Sequence, residues 1–129
     1  MAHGEKELFN LDLCDRMYRD MLFAWNPDLI DDFLAEDYIQ HSTAASGGRE
    51  GLRAFMKDRI GAFPDVRQSI KARFADGDFT IYHIHTIRHV GDPGMSIMDV
   101  FRIADGKVRE HWEVVQDIPA TLPHNNGVF

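Results

Sequence analysis

The sequence predicts an α+β domain in which N-terminal helices cover one face of an antiparallel sheet. Apolar residues recur at helical spacing as far as Ala62, whereas beyond Val66 the spacing becomes that of strands. Turn signals divide this second part of the chain, and the strongest of them is Asp105-Gly106. Helices followed by a run of strands are typical of an α+β fold rather than of alternating βαβ units.

Three helical segments are expected before the strands. The first runs from about Glu5 to Ala24 as one amphipathic helix. Asn26-Pro27-Asp28 ends it and begins the second, because proline suits the first turn of a helix. The third spans Arg49 to Ala62 and stops at Phe63-Pro64-Asp65.

Four strands are expected after the helices, separated by Asp76-Gly77-Asp78, Gly91-Asp92-Pro93-Gly94 and Asp105-Gly106. The last of these turns fits a type I′ hairpin, which requires positive φ at both central residues. The strands on either side of it therefore form the most clearly predicted pair.

This hairpin carries two informative carboxyl groups. Side chains alternate along a strand, so Asp99 shares a face with Phe101, and Glu113 shares one with His111. Both carboxyls then face an apolar interior, or, on the alternative assignment, the solvent, where most carboxylates lie. An interior carboxyl needs a raised pKa or a hydrogen-bonded partner, and acid/base sites are built in this way.

The pattern D-x-F-R-I-x-D-G-K-V-x-E-H-W-[DE], followed by Val115-Gln116, resembles the SnoaL-like branch of the NTF2-like superfamily. Further matching segments cover nearly the whole chain: Tyr38-Ile39-Gln40-His41, Gly51-Leu52 through Phe63-Pro64-Asp65, Gly77-Asp78, His83-x-His85 and Asn125-Asn126-Gly127-Val128-Phe129. Their order and spacing are specific for the fold and for this branch, and not for one substrate.

The resemblance implies a single domain over residues 1–129 with the NTF2-like cone. In that fold three N-terminal helices pack on a curved antiparallel sheet and enclose a pocket. The opposite sheet face commonly forms a dimer interface, so a homodimer through Ile81, Trp112 and Val114 is expected. Most members work without a metal or an organic cofactor, and none is expected here.

Composition limits the kinds of partner that the protein is expected to bind. The net charge of −7, with 14 basic and 21 acidic residues, argues against nucleic acids and anionic membranes. No stretch approaches the ~20 apolar residues that span a bilayer, and a cytoplasmic protein is expected. The single cysteine, Cys14, lies in the apolar stripe of the first helix and is expected to pack in the core.

Three histidines are candidate site residues. The resemblance places His41 at the pocket wall. His83 and His85 share one face of a strand, about 7 Å apart at a rise of ~3.3 Å per residue, and either face could be the inner one. Together with Asp99 or Glu113 they would form a plausible set of metal ligands, but no spacing such as His-Glu-x-x-His requires a metal.

Resemblance also suggests roles for the two carboxyls. Polyketide cyclases carry their acid/base aspartate at the fourth position of an E-H-x-D element, which is Glu113 here. At the position of Asp99 the cyclases have histidine, whereas ketosteroid isomerases have an acid that is held neutral as an oxyanion donor. The isomerase base aligns with Ser42 and its tyrosine has no evident match, so steroid isomerisation is not predicted.

We therefore expect a small cofactor-independent enzyme of cyclase, isomerase or dehydratase type that acts on an apolar, carbonyl-bearing metabolite. Glu113 would be the general acid/base and Asp99 the oxyanion donor or its partner, while His41, His83 and His85 would orient groups or shuttle protons. The alternative is a non-catalytic small-molecule-binding or dimerisation module, because a fold does not by itself give a function. A pocket filled by Phe and Met side chains would favour the module.

Overall fold

A computed structural model describes residues 3–129 of the chain. The helices are α1 (Glu5–Met17), α2 (Ile30–Phe33) and α3 (Gly48–Ala62), and the strands are β1 (Leu34–Gln40), β2 (Arg67–Asp76), β3 (Phe79–Ile87), β4 (Met95–Ala104) and β5 (Lys107–Asp117). A π-helical turn, Tyr18–Leu22, extends α1, and a short 3₁₀ turn, Pro27–Leu29, leads into α2. Helices packed on a curved five-stranded sheet confirm the predicted α+β class.

The strands form one sheet in the order β1-β5-β4-β3-β2. Strands β2 to β5 are the predicted antiparallel meander. Strand β1 is an additional edge strand that pairs with β5 in parallel, so the sheet is mixed rather than wholly antiparallel. Sequence periodicity missed β1 because Leu34 and Ala35 are both buried and the pairing with β5 is interrupted between Leu34 and Ile39.

The first helical run differs in detail from the single helix expected to Ala24. Regular α-helix stops at Met17, and the chain continues as the π-helical turn to Leu22. The predicted apolar stripe still packs into the core through Leu11, Leu13, Cys14, Met17, Tyr18 and Met21. Single π-helical turns are frequent at functional sites, where they shift side chains out of the regular helical register.

Burial along β3 shows which face of the sheet the helices cover. Thr80, Tyr82, Ile84 and Thr86 are buried, whereas the residues between them are partly exposed. We call the covered side the inner face and the other side the outer face. Pairing between strands extends this division to β4 and β5, where Asp99 lies on the inner face.

The β4–β5 turn has the predicted geometry. Asp105 has a φ of 53° and Gly106 a φ of 73°, as a type I′ turn requires. This tight connection joins the two carboxyl-bearing strands, and a register shift between Arg102 and Ile103 sets Asp99 opposite Glu113. Within residues 3–129, no helix has the length and apolar character to cross a membrane.

Candidate active site

A cavity of about 330 Å³ lies between the inner face of the sheet and the helices. Most of its wall is apolar, and Met21, Leu52, Met56 and Ile97 contribute to it. The polar side chains in the wall include Tyr18, Tyr38, Gln40, Ser42, Asp99, His111 and Glu113. This volume is at the lower end of the usual range for small-molecule sites, so the apolar side chains line the cavity without filling it.

The two carboxyls named by the sequence both line this cavity. Asp99 on β4 and Glu113 on β5 are paired directly across the two strands. Asp99 is 6% exposed and Glu113 is half-buried. Side-chain oxygens of paired residues come close in an antiparallel sheet, and this pairing produces one acidic centre rather than two separate groups.

Both oxygens of Asp99 are hydrogen-bonded. The Tyr18 hydroxyl donates to Oδ2 over 2.6 Å, and Nε2 of His111 lies 2.7 Å from Oδ1. Burial, followed by the negative charge of Asp99, raises the pKa of Tyr18 well above its ordinary value. The Tyr18 hydroxyl therefore stays protonated and remains a donor.

Gln40 determines which nitrogen of His111 carries a proton. The backbone N–H of Ser42 donates to Oε1 of Gln40 over 3.0 Å, which identifies this side-chain atom as the acceptor oxygen. Nδ1 of His111 lies 2.8 Å from the same oxygen and must donate to it. The imidazole is thus protonated at Nδ1, and a single proton lies between its Nε2 and Oδ1 of Asp99.

Glu113 is held in the protonated form more readily than an ordinary glutamate. Burial, and then the negative charge of Asp99, raises the pKa of Glu113, while the hydrogen bond from Ser42 opposes this shift. The Ser42 hydroxyl donates to Oε1 of Glu113 over 2.8 Å. Desolvation and a like charge are the usual means by which a site brings a carboxyl into the range useful for acid/base catalysis.

The three histidines expected at the site lie elsewhere. His41 contacts Glu110 at 2.6 Å and stacks on Trp112 with ring centroids 5.0 Å apart. His83 and His85 lie on the outer face, because their neighbours Tyr82, Ile84 and Thr86 occupy the inner one. None of the three lines the cavity, and this corrects their expected placement.

The outer-face pair His83 and His85 has partners of its own. Nε2 of His83 lies 2.8 Å from the Ser96 hydroxyl, and Nε2 of His85 lies 2.8 Å from the carbonyl oxygen of Pro93. Both rings pack against Phe129 in the C-terminal segment, with centroids 4.8 and 4.6 Å apart. Their contacts are those of a packed surface rather than of a ligand cavity.

Among residues 3–129, Asp99, His111 and Glu113 form the group with the geometry to hold a metal ion. One potential ligand atom of each lies within 4.8 Å of the others. However, both nitrogens of His111 and both oxygens of Asp99 already take part in hydrogen bonds within the cluster. A cation at this position would have to displace these hydrogen bonds.

A family model described as SnoaL-like polyketide cyclase matches residues 12–121. The chain belongs to this family. The matched segment contains all the polar cavity residues from Tyr18 to Glu113. No curated protein shows significant similarity to the chain.

Solved structures share the fold of this SnoaL-like chain at low sequence identity. A proposed SnoaL-like polyketide cyclase from Jannaschia sp. CCS1 has a TM-score of 0.74 and 18% identity, covering 89% of this chain and 90% of that one. IdmH, a proposed polyketide cyclase from Streptomyces antibioticus, has a TM-score of 0.68 and 20% identity over 82% and 91%. AclR, a proposed hydroxylase from Streptomyces galilaeus, has a TM-score of 0.71 and 22% identity over 88% and 82%. Such distant likeness shows the fold alone.

Sequence reasoning assigned no site role to several polar residues of this SnoaL-like cavity, which include Tyr18, Tyr38, Gln40, Ser42, Arg59 and His111. The alternation of β5 had already placed His111 on the face of Glu113, and this was the signal that could have found it. Tyr18 lies in the apolar stripe of the first helix, and nothing in the local sequence distinguishes a packing tyrosine from one that donates a hydrogen bond. The structure shows its hydroxyl donating to Asp99.

Cys14 behaves as expected from its place in the helix. Its side chain is fully buried, and its sulfur lies 3.4 Å from the Thr80 hydroxyl. Burial raises the pKa of the Cys14 thiol to about 12. Because the thiolate is the nucleophilic form of cysteine, this residue is a packing group and not a reactive one.

Proposed function

We propose that this SnoaL-like protein is a small enzyme that applies acid/base chemistry to an apolar, carbonyl-bearing metabolite in its cavity. One observation carries the proposal: a glutamic acid of raised pKa stands beside a second, hydrogen-bonded carboxyl in the wall of an apolar cavity. Membership of the polyketide cyclase family supports a reaction of the cyclase, isomerase or dehydratase type.

Glu113 is the proposed general acid/base. In an aldol closure, its carboxylate would take a proton from the carbon next to one carbonyl, and the resulting enolate would form the new C–C bond by attacking a second carbonyl carbon. The same proton would then pass from Glu113 to the new alkoxide oxygen. Proton and charge balance over this cycle, so one carboxyl group suffices and no co-reactant is needed.

Asp99 is the proposed charge partner of the site rather than its oxyanion donor. Its oxygens already face Tyr18 and His111, which leaves it no free proton to offer a ligand. Its negative charge instead keeps the pKa of Glu113 raised. Tyr38 lines the same cavity, and burial raises its pKa, so its hydroxyl stays protonated and is the group proposed to donate to the carbonyl oxygen.

The test compares Glu113→Gln with wild type. A panel of ketones and aldol substrates is first screened by thermal shift and product formation. Glutamine keeps the shape of the side chain but removes the titrating proton, so ligand affinity should persist while turnover falls by ~10²–10⁴-fold. Glu113→Asp should lose less, because it retains the acid with a shorter reach.

Glu110→Gln is the matched control, since Glu110 is on the same strand and contacts His41 and Arg102 instead of the cavity. Its turnover should stay within about twofold of wild type, because the changed group lies outside the cavity. Ligands that bind wild type and Glu113→Gln equally, with no product from either protein, would instead establish a binding module. Equal turnover by the two proteins would remove Glu113 from the chemistry.

A further inference from the structure

We propose that the cavity selects substrates that carry a carboxylate at the end remote from the reacting carbonyl, and that Arg59 binds this carboxylate. This inference depends on the proposed function only because both concern the same cavity. It adds a specificity-determining residue and a substrate class, an apolar keto acid, to the acid/base site.

Arg59 lies in the last turn of α3 and lines the cavity while remaining half-buried. Phe55 precedes it by four residues and Phe63 follows it by four, so all three side chains lie on one side of the helix end. The guanidinium carbon is 5.2 Å from the centre of the Phe55 ring and 5.9 Å from that of Phe63. Both aromatic rings also line the cavity.

The charge of Arg59 has no carboxylate partner within residues 3–129, although the chain has more acidic than basic residues. Arg88, the other arginine in the cavity wall, is bound to Asp92 at 2.8 Å. Arg53, on the same helix, contacts Asp31 at 3.2 Å. Among the described residues, Arg59 is therefore the positively charged side chain of the cavity wall that is available to bind a ligand.

The surroundings of Arg59 suit a carboxylate. A guanidinium that stacks on aromatic rings uses its faces and leaves its N–H donors free at the edge. These donors match the two oxygens of a carboxylate, and the pairing is strengthened where apolar walls exclude water. Because the whole protein is negatively charged, binding of an anion requires a local cation of this kind.

Topology separates this cation from the acid/base group. Arg59 is carried by α3 and Glu113 by β5, so the two side chains enter the cavity wall from the helical layer and from the sheet. A ligand with an apolar body between a carbonyl and a carboxylate would span the region between them.

The experiment uses 6-oxo-6-phenylhexanoate and its primary amide, which have the same shape and differ in charge. Dissociation constants are measured by NMR titration of the methionine methyl groups. Met21 and Met56 line the cavity, whereas Met98 lies on the outer face, so these signals also report where the probe binds. Wild type should bind the acid about five- to tenfold more tightly than the amide, and high salt should reduce this ratio.

Arg59→Gln should bring the ratio of the two constants to about one, and Arg59→Lys should preserve part of the preference. Lys57→Gln is the control, because it removes one positive charge from an exposed position of the same helix. A preference that survives in Arg59→Gln, is absent in wild type, or is lost equally in Lys57→Gln overturns the proposal. Shifts confined to Met98, or no shifts with either probe, also overturn it.

These outcomes are separate from those of the acid/base proposal. Binding of the two probes involves no proton transfer, so Glu113→Gln should keep the preference for the acid. Loss of that preference in Arg59→Gln would stand even if Glu113 proved dispensable for turnover. Conversely, an unchanged ratio in Arg59→Gln would leave the role of Glu113 intact.

Discussion

At the scale of single residues, Glu113 lowers the stability of the fold at neutral pH for the same reason that it suits acid/base chemistry. Its pKa is raised in the folded state by burial and by Asp99. Below the ordinary glutamate pKa of about 4.3, both folded and unfolded states hold the proton, and there is no cost. As the pH rises from there through the raised value, the unfolded state ionises first and the folded state loses stability.

Glu113→Gln should therefore raise the melting temperature at pH 8 by a few degrees, with the gain shrinking toward pH 4.5. Calorimetry across this pH range measures the effect. Glu110→Gln is again the control and should show the opposite sign, because hydrogen bonds from His41 and Arg102 lower the pKa of Glu110. A gain for Glu113→Gln that did not depend on pH would contradict this account.

At the scale of elements, α3 positions the loop that carries Ser42. Gly51, in the first half of the helix, has no room for a side chain: an added Cβ would lie 1.9 Å from the carbonyl oxygen of Ser46. This close backbone approach holds the segment from Ser42 to Ser46 against the helix. The same segment between β1 and α3 carries Ser42, which donates a hydrogen bond to Glu113.

Gly51→Ala should therefore destabilise the protein by about 2 kcal/mol or more, because backbone rather than a flexible side chain must move. Gly61→Ala is the matched change in the same helix, where an added Cβ meets open space. It should stabilise the protein by about 0.5–1 kcal/mol, the difference in helix propensity. Urea denaturation measures both, and equal effects of the two substitutions would count against this packing argument.

At the scale of the whole molecule, the outer face of the sheet is apolar and partly exposed. Phe74, Ile81, Val100 and Trp112 form one continuous row across β2, β3, β4 and β5. Val114 is next to this row and is 70% exposed. An apolar patch of this kind on a small protein is typical of an interaction surface, and a two-fold homodimer remains our prediction.

Val114→Glu should convert this dimer to a folded monomer, because it places a charge in each copy at the centre of the contact. Light scattering at micromolar concentration measures the mass, and circular dichroism checks the fold. Val90→Glu is the control, since Val90 is 88% exposed in the loop between β3 and β4 and lies off the outer face. A monomeric wild type, or a dimeric Val114→Glu, would show that the outer face is not the interface.

Much of the fold and the two carboxyls of the site could be predicted because both depend on short-range patterns. The Asp105-Gly106 turn favours one hairpin geometry, and alternation places Asp99 on the face of Phe101 and Glu113 on the face of His111. Uninterrupted alternation from this turn would set Asp99 opposite Trp112, and the register shift between Arg102 and Ile103 sets it opposite Glu113 instead. The family resemblance, carried by the same hairpin, is confirmed by the match to residues 12–121. These features depend on neighbours in the chain, and local physics is sufficient to specify them.

Only the tertiary structure decided which other side chains join the carboxyls. Tyr18 and Asp99 are 81 residues apart in sequence, and no local sequence pattern predicts their contact. Alternation along β3 predicts that His83 and His85 share a face, but the sequence did not decide between the inner and the outer face. Packing of the helices selected the face of Tyr82, whose fully buried ring joins the core together with Ile84. His83 and His85 therefore lie on the outer face. His111, which is hydrogen-bonded to Gln40 of the parallel edge strand β1, lies beside Asp99 and Glu113 instead.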